Sequence, residues 1–245
     1  MFVRNISNRS TIFQLVRCSS NQTARKPSVF ENKPILYGDE VSPPVRFVLM
    51  TASVLGIDLK FHHIDLFCSE NKSDFFTKIN PLQKVPALVA GDDVICDSHA
   101  IALYLCGKRK NQKLYPRDPS IKAQIDQMLF FNSAELFPID SAIYSEYFTG
   151  KWPADEQKVK NWYRLLDHLD GRLKTRTWLA GEKLYLCDIC CAATVSTLQL
   201  LIPLLNRHKN VEIWLNRVQA LPCFEINKSG LKRLNVFVEK IKSIV

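Results

Sequence analysis

The sequence predicts an α/β layer followed by an all-helical region. Within residues 34–110, short alternating apolar segments are interleaved with segments of helical apolar spacing. After residue 121 the strand patterns disappear, and apolar residues recur at the i, i+3, i+4 and i+7 positions of amphipathic helices. Between the two regions, "NQKLYPRDPSI" at 111–121 carries two prolines and no periodicity. We therefore predict two domains, 34–110 and 122–245, joined by a linker at 111–121.

The first domain reads as strand, helix, strand, helix, hairpin, helix. "PILY" at 34–37 and "LKFHHID" at 59–65 are typical of strands, and "VRFVLMTASVL" at 45–55 between them has helical spacing. A helical stretch follows near 70–79. "VPALVA" and "DVIC" then flank the two residues "GD", which is typical of a tight antiparallel hairpin. With a last helix from Ser98, this order predicts a thioredoxin-like mixed sheet with helices on its faces.

The second domain contains one segment that could be misread as a membrane span. "DICCAATVSTLQLLIPLL" at 188–205 is apolar nearly all round. It includes Asp188, Gln199 and Pro203, which disfavour a membrane span. The amphipathic helices before and after it also need an apolar helix against which to bury their apolar faces. We therefore predict the central helix of a bundle. Apolar residues at helical spacing mark the surrounding helices, around Leu129 and around residues 166, 214 and 234. Pro138 is expected to kink or end the helix that contains Leu129.

The formal charge of +9 is concentrated at the two ends of the chain. The leader, residues 1–33, holds six Lys or Arg against Glu31 alone, and the tail from Ile226 holds five against Glu239. A basic face for nucleic acid is therefore not predicted. The leader's basic, Ser-rich and acid-poor composition fits either a mitochondrial targeting segment or a dispensable extension of a cytoplasmic protein.

Eight cysteines raise the question of disulfides or metal. The only C-x-x-C is "CDIC" at 187–190, which lies in an apolar segment without a second such pair or a His pair at finger spacing. Buried free thiols in a reducing compartment are the better interpretation, and no metal site is predicted.

Ser42 lies where the first strand leads into the first helix, ahead of Pro43 and Pro44. Its hydroxyl can act as a helix cap, or it can use the positive end of the helix dipole to donate a hydrogen bond to a bound thiolate. Thioredoxin-like oxidoreductases need a cysteine at this place. The serine therefore excludes disulfide exchange.

Two further stretches complete a site for a thiol peptide. In "NPLQKVPAL" at 80–88, a cis peptide bond between Val85 and Pro86 would leave the Val85 backbone free to pair with an extended ligand. In "DSHAI" at 97–101, Ser98 is predicted to cap a helix whose N–H groups suit a carboxylate, and Asp97 suits an ammonium group. Taken alone, each stretch has an ordinary structural interpretation: Pro86 as the first residue of a strand, and Asp97 with Ser98 as a helix cap.

Together, "SPPVR", "NP..KVP.L" and "DSHAI" resemble the glutathione transferases, and the resemblance spans residues 34–245. The motifs are similar to the insect epsilon class. Within it, "KPILYGDEVSPPVR" and "NKSGLKRL" are most similar to the noppera-bo group, whose members serve ecdysteroid biosynthesis. The resemblance implies a glutathione transferase fold, a homodimer, glutathione as cosubstrate and a hydrophobic or steroid-like acceptor.

The resemblance also implies roles for individual residues. Ser42 would activate the thiol, Val85 would hold the cysteinyl backbone, and Asp97 with Ser98 would hold the γ-glutamyl end. The implied glutathione-binding set is Gln83, Lys84, Val85, Pro86, Asp97, Ser98 and His99. From helix faces and the family layout, the expected acceptor pocket comprises Pro44, Phe47, Phe131, Asn132, Glu135 and Phe148.

Four positions depart from the family pattern. Gln83 replaces the usual His, Lys84 replaces Thr or Ser, and Asn132 stands at or near the acidic residue of dipteran noppera-bo proteins. Tyr185 replaces the usual Ser or Thr cap, which is expected to remove a capping box ahead of Asp188. Two functions therefore stay open: a glutathione-conjugating enzyme, serving ecdysteroid biosynthesis or general detoxification, and a carrier of apolar ligands with little turnover.

Overall fold

A computed structural model of the protein describes residues 30–242. The predicted leader lies outside the described residues, except for 30–33. The hypothesis of a mitochondrial targeting segment therefore concerns residues that the structure does not describe. Within the described range, no helix is both long and apolar enough to cross a lipid bilayer.

The first domain is built on a four-stranded mixed sheet, which confirms the predicted fold class. The strands are β1 (Ile35–Gly38), β2 (Lys60–His63), β3 (Ala87–Ala90) and β4 (Asp93–Cys96), in the order β2-β1-β3-β4. β1 pairs parallel with β2 and antiparallel with β3, and the turn between β3 and β4 uses Gly91 at φ +65°. Leu36 lies opposite Leu88 at the centre of the sheet, and both side chains are fully buried.

Three helices flank this sheet. They are α1 (Pro43–Leu55), α2 (Asp74–Ile79), preceded by a 3₁₀ turn at Glu70–Lys72, and α3 (Ser98–Lys108). α1 ends at Gly56, whose left-handed conformation lets its N–H bond back to the carbonyl of Ser53. Most of α1 is buried, because one face packs on α3 and another packs on helices of the second domain. This double packing fixes the start of α1 at the junction between the domains.

The second domain is helical within the described residues, as predicted. Its helices are α4 (Pro119–Phe131), α5 (Phe137–Phe148), α6 (Glu156–Leu173), α7 (Leu186–Leu198), α8 (Lys209–Gln219) and α9 (Phe224–Lys242). A π-helical turn, Asn132–Leu136, joins α4 to α5. The prediction that Pro138 kinks or ends the first long helix is therefore refined, because the irregularity is a π turn that precedes the proline.

α7 is the central helix of the bundle, as predicted. Every residue of α7 is buried, although the helix ends at Leu198 and not at residue 205. The expected loss of a capping box ahead of this helix is half correct, because the Tyr185 side chain makes no capping hydrogen bond whereas the bond from Asp188 remains. A carboxylate oxygen of Asp188 accepts from the Tyr185 N–H at 2.9 Å, and the Asp188 N–H donates to the Tyr185 carbonyl at 3.1 Å. The reciprocal bond therefore survives without a Ser or Thr hydroxyl.

Candidate active site

A cavity of about 720 Å³ lies between the two domains. Its walls come from the starts of α1 and α3, the segment leading into β3, the π-helical turn, α5 and α7. Of the residues predicted for the site, it brings together Pro44, Phe47, Lys84, Val85, Pro86, Asp97, Ser98, His99 and Asn132. The three sequence motifs therefore meet in one place, although they are up to some fifty residues apart in the chain.

Ser42 occupies the N-cap position of α1 but does not cap it with its side chain. Pro43 and Pro44 are the first helical residues, and Pro44 offers no N–H to a cap. The half-buried Ser42 side chain accordingly makes no capping hydrogen bond. Ser42 itself does not line the cavity, but Pro43 and Pro44, which follow it in the chain, do. The capping alternative therefore loses its support, and the hydroxyl stays available at the positive end of α1.

The segment before β3 presents backbone and not side-chain groups. The Val85–Pro86 peptide bond is cis, and within residues 30–242 neither the N–H nor the C=O of Val85 forms a hydrogen bond. The carbonyl of Lys84 accepts from Asn80 at 2.6 Å, which holds the segment to the end of α2. Val85 therefore offers one donor and one acceptor beside the cavity, as an extended peptide ligand requires.

Gln83 does not line the cavity. Its backbone adopts φ +55°, and its side-chain amide donates to the Thr77 hydroxyl at 3.1 Å. This bond directs the Gln83 amide nitrogen toward Thr77 of α2. The structure therefore does not bring Gln83 together with the other predicted glutathione-binding residues.

Asp97, and not Ser98, caps α3, which corrects the sequence interpretation. Asp97 has φ +83°, and its Oδ1 accepts from the N–H groups of His99 and Ala100 at 2.8 and 3.2 Å. Ser98 is the first helical residue and is buried. The hydrogen bond to the His99 side chain holds the pKa of Asp97 below its ordinary value, against the effect of burial. Asp97 therefore presents an ionised carboxylate that suits a ligand ammonium group.

The structure brings only part of the predicted acceptor pocket to the cavity. Asn132 is buried at the cavity and donates to the Thr194 hydroxyl at 2.8 Å. Phe131 instead packs on His168, with ring centroids 5.0 Å apart, and the exposed Glu135 faces Arg164. Phe148 packs edge-on against Phe67. These three residues, Phe131, Glu135 and Phe148, do not line the cavity.

Two residues near the cavity were missed by the sequence interpretation. Cys190 lines it, and its Sγ lies 3.3 Å from Nε2 of His99. Asp140 lies one residue before Ser141, which also lines the cavity, and its buried Oδ1 has no hydrogen-bond partner within residues 30–242. Burial raises the pKa of Asp140 to about 8, against the opposing effect of Arg46. Cys190 belongs only to the C-x-x-C pair that was interpreted as buried thiols, and Asp140 belongs to no local motif, so only the packing of helices could place them near the cavity.

Comparison with known proteins agrees with this geometry. The family model for the glutathione S-transferase N-terminal domain matches residues 36–113, and that for the C-terminal domain matches residues 134–222. The chain belongs to the glutathione S-transferase family. Glutathione S-transferase 1 of Manduca sexta is 35% identical over 198 residues, which cover 78% of this chain and 89% of that protein.

Solved transferases share the same fold along most of the chain. An epsilon-class glutathione S-transferase of the housefly, Musca domestica, superposes with a TM-score of 0.81 at 29% identity, over 85% of this chain and 98% of its own. A glutathione transferase homologue of Drosophila mojavensis with bound glutathione superposes with a TM-score of 0.80 at 31% identity, over 86% and 97%. These relatives place the protein among insect glutathione S-transferases of the delta and epsilon type.

Proposed function

We propose that the protein conjugates glutathione to hydrophobic electrophiles, with Ser42 as the residue that activates the thiol. The observation that carries this proposal is the Ser42 hydroxyl, which makes no capping bond at the positive end of α1, beside the cavity between the domains. A hydroxyl there can donate to a thiolate, and the helix N-terminus favours the negative charge. The thiolate sulfur then bonds to the electrophilic carbon, whose leaving group departs with the electron pair.

The remaining walls of the cavity suit the rest of glutathione. The N–H and C=O of Val85 would pair with the cysteinyl backbone, and Asp97 would hold the γ-glutamyl ammonium group. The hydroxyl and the N–H of Ser98 would receive the adjacent carboxylate, because Asp97 already occupies the N–H groups of His99 and Ala100, and Lys84 would add positive charge. The acceptor would lie against Pro44, Phe47 and Asn132, together with Phe137 and Ala142 of α5 in place of the three residues that face elsewhere.

An ultraviolet pH titration of bound glutathione tests the role of Ser42. We expect the wild-type protein to lower the thiol pKa by about two units, about 2.7 kcal/mol, and Ser42→Ala to abolish most of that shift. Ser53→Ala, an exposed serine near the other end of α1, is the matched control and should behave as wild type. An unshifted thiol in the wild-type protein, or an unchanged shift in Ser42→Ala, would overturn the proposal.

A second candidate function is an apolar-ligand carrier with little turnover. It is favoured by Gln83, whose amide is engaged with Thr77 and not with the cavity. Tight binding of a fluorescent apolar probe, without conjugation of any electrophile tested, would support the carrier. Ordinary turnover of a generic electrophile such as 1-chloro-2,4-dinitrobenzene would exclude it.

More specifically, we propose that the protein is an epsilon-class, noppera-bo-like enzyme of ecdysteroid biosynthesis and not a general detoxification enzyme. The buried Asn132 supports it, because it lines the cavity, its amide N–H donates to Thr194, and its amide oxygen suits a hydroxyl of an otherwise apolar ligand. A hydroxylated sterol should therefore inhibit conjugation of 1-chloro-2,4-dinitrobenzene more strongly than the same sterol without its hydroxyl. Equal inhibition by both, with broad turnover of unrelated electrophiles, would favour detoxification.

The protein is further proposed to be a cytoplasmic homodimer. Seven free cysteines within residues 30–242 suit a reducing compartment, and Phe130 on α4 is 70% exposed, as expected for a residue that a second subunit could cover. Size-exclusion chromatography with light scattering would measure the mass. A monomer at micromolar concentration would contradict the proposed dimer.

A further inference from the structure

The sequence motif "NKSGLKRL" forms one face of α9 that apolar periodicity does not explain. Asn227, Gly230 and Arg233 follow one another at a spacing of three residues, so they lie along one side of the helix. Asn227 and Gly230 are buried, although neither carries an apolar side chain. This face packs on the loop 39–42, which joins β1 to α1 and ends at Ser42, and on α1 itself.

Asn227 acts through a buried arginine. Arg46 on α1 is fully buried, and its Nε donates to Asn227 Oδ1 at 2.8 Å. Its Nη1 donates to the carbonyls of Glu40 and Val41, each at 2.7 Å, and its Nη2 donates to the Thr197 hydroxyl. One guanidinium group thus joins the loop 39–42 to α7 and α9. A buried charge held by several acceptors defines the geometry around it.

Gly230 permits the helix to approach the loop this closely. A Cβ built on Gly230 would lie 2.3 Å from the carbonyl oxygen of Glu40 and 2.4 Å from Cδ of Arg46. Neither neighbour can yield cheaply, because one is backbone and the other belongs to the fully bonded Arg46. Any side chain at position 230 would therefore push α9 away from the loop.

Arg233 reaches the other end of the loop through Asp39. Asp39 is fully buried, and its two oxygens accept from the N–H groups of Val41 and Leu66 at 3.2 and 3.1 Å. Nη1 of Arg233 lies 3.0 Å from Asp39 Oδ1. The Asp39 carbonyl in turn accepts from the Ser42 N–H at 3.0 Å. Arg233, Asp39 and Ser42 are therefore connected step by step.

We infer that Asn227, Gly230 and Arg233 are positioning residues for Ser42, and that α9 thereby sets how strongly the site activates its thiol. This inference rests on the proposed role of Ser42. Because the Ser42 side chain makes no capping bond, its position depends on the backbone of the loop, which α9 holds from two sides. A displacement of the loop by a few tenths of an ångström lengthens the hydroxyl-to-sulfur hydrogen bond, to which the thiolate is sensitive.

The test compares two variants of α9 with matched controls on the full-length protein. Gly230→Ala is paired with Gly171→Ala, a helical glycine whose added Cβ would meet nothing within 4 Å. Arg233→Met is paired with Arg233→Lys, which keeps the charge, and with Lys232→Met, an exposed neighbour. Arg233 is 30% exposed, so Arg233→Met should fold even if Gly230→Ala does not. The readouts are the pKa of the bound glutathione thiol, the Kd for glutathione and kcat/KM against pH.

We expect Gly230→Ala and Arg233→Met to raise the pKa of the bound thiol by about one unit. At a fixed pH below the wild-type thiol pKa, kcat/KM should then fall about tenfold. Measured at a pH below the wild-type thiol pKa, where the bound thiol is protonated in all variants, the Kd for glutathione should change less than twofold. Arg233→Lys should recover most of the loss, and Gly171→Ala and Lys232→Met should match wild type. If wild type lowers the thiol pKa but both variants keep that value and lose only thermal stability, α9 is merely structural and the inference is wrong. If wild type itself leaves the thiol unshifted, the proposed function fails instead.

Discussion

The thiol of Cys190 lies 3.3 Å from Nε2 of His99, across the boundary between the two domains. Burial raises the pKa of Cys190 well above its ordinary value, so the thiol keeps its proton, and we assign that proton as donated to Nε2 in the tautomer that leaves this nitrogen unprotonated. The ring proton then belongs on Nδ1, which lies 3.5 Å from Asp97 Oδ1. Helix α7 thus supports the carboxylate proposed to hold the γ-glutamyl ammonium group.

Cys190→Ala should therefore weaken glutathione binding without slowing the chemical step. Loss of one neutral hydrogen bond costs about 0.5–1.5 kcal/mol, so KM for glutathione should rise roughly two- to tenfold with little change in kcat. Cys191→Ala is the matched control, because Cys191 is equally buried but its Sγ faces the carbonyl of Met128. Steady-state kinetics at varied glutathione concentration measure KM and kcat for both variants. An equal rise of KM in Cys190→Ala and Cys191→Ala would show only a general loss of packing.

The burial of α7 also predicts which thiols react. Cys68 is exposed, whereas Cys187, Cys190 and Cys191 are buried, and desolvation raises their pKa well above the ordinary value. In the native protein, alkylation followed by peptide mapping should modify Cys68 within minutes and leave the three α7 thiols intact until urea unfolds the chain. Labelling of Cys190 at the rate of Cys68 would mean that α7 opens readily, and the assignment of a proton-donating thiol would then be wrong.

The core helices could be predicted because their buried faces are apolar. Trp162 and Leu166 on α6, and Trp214 and Leu215 on α8, follow helical spacing and are all buried. On α9 the apolar spacing around Leu234 is confirmed only in part, because Leu234 is buried but Leu231 and Phe237 are only half-buried. The buried face of α9 also includes Asn227 and Gly230, which are buried through hydrogen bonding and close backbone approach, and apolar periodicity does not report either property.

The site could be predicted where its residues are close in sequence. Ser42, Val85 and Asp97 sit at the ends of strands and helices, so local order in the chain places them. The acceptor wall could not be predicted in this way. The π-helical turn at Asn132–Leu136 adds residues to the helical repeat and rotates the side chains out of the register of an ideal helix. Phe131 and Glu135 accordingly face α6, while Phe137 lines the cavity.

Asp188→Ala should be among the most destabilising substitutions in the second domain. Its carboxylate accepts from the N–H groups of Leu179 and Tyr185 and from Nε1 of Trp214, at 2.8 to 2.9 Å, and it is fully buried. Removing it leaves three buried donors without their acceptor, so we expect a loss of more than about 3 kcal/mol in the free energy of unfolding. Asp118→Ala, an exposed cap of α4 with one such bond, should cost only about 1 kcal/mol. Urea denaturation measures both, and similar losses would contradict the central role of Asp188.

Asp140→Asn should change the pH dependence of stability in a defined direction. Burial raises the pKa of Asp140 from 3.8 to about 8, so between these values the folded protein holds a proton that the unfolded chain has released. The native state then binds more protons, and the contribution of this group to stability falls as pH rises from about 4 to 8. Asparagine has the same shape and does not titrate.

The stability of Asp140→Asn relative to wild type should therefore improve between pH 5 and pH 8, by at least about 1 kcal/mol. Urea denaturation of both proteins at several pH values measures this difference, and Asp74→Asn, on the exposed surface of α2, controls for general effects of charge. A constant difference across the range would mean that Asp140 is ionised throughout. Its carboxylate would then be stabilised by the charge of Arg46, which favours the ionised form, to an extent that offsets the effect of burial.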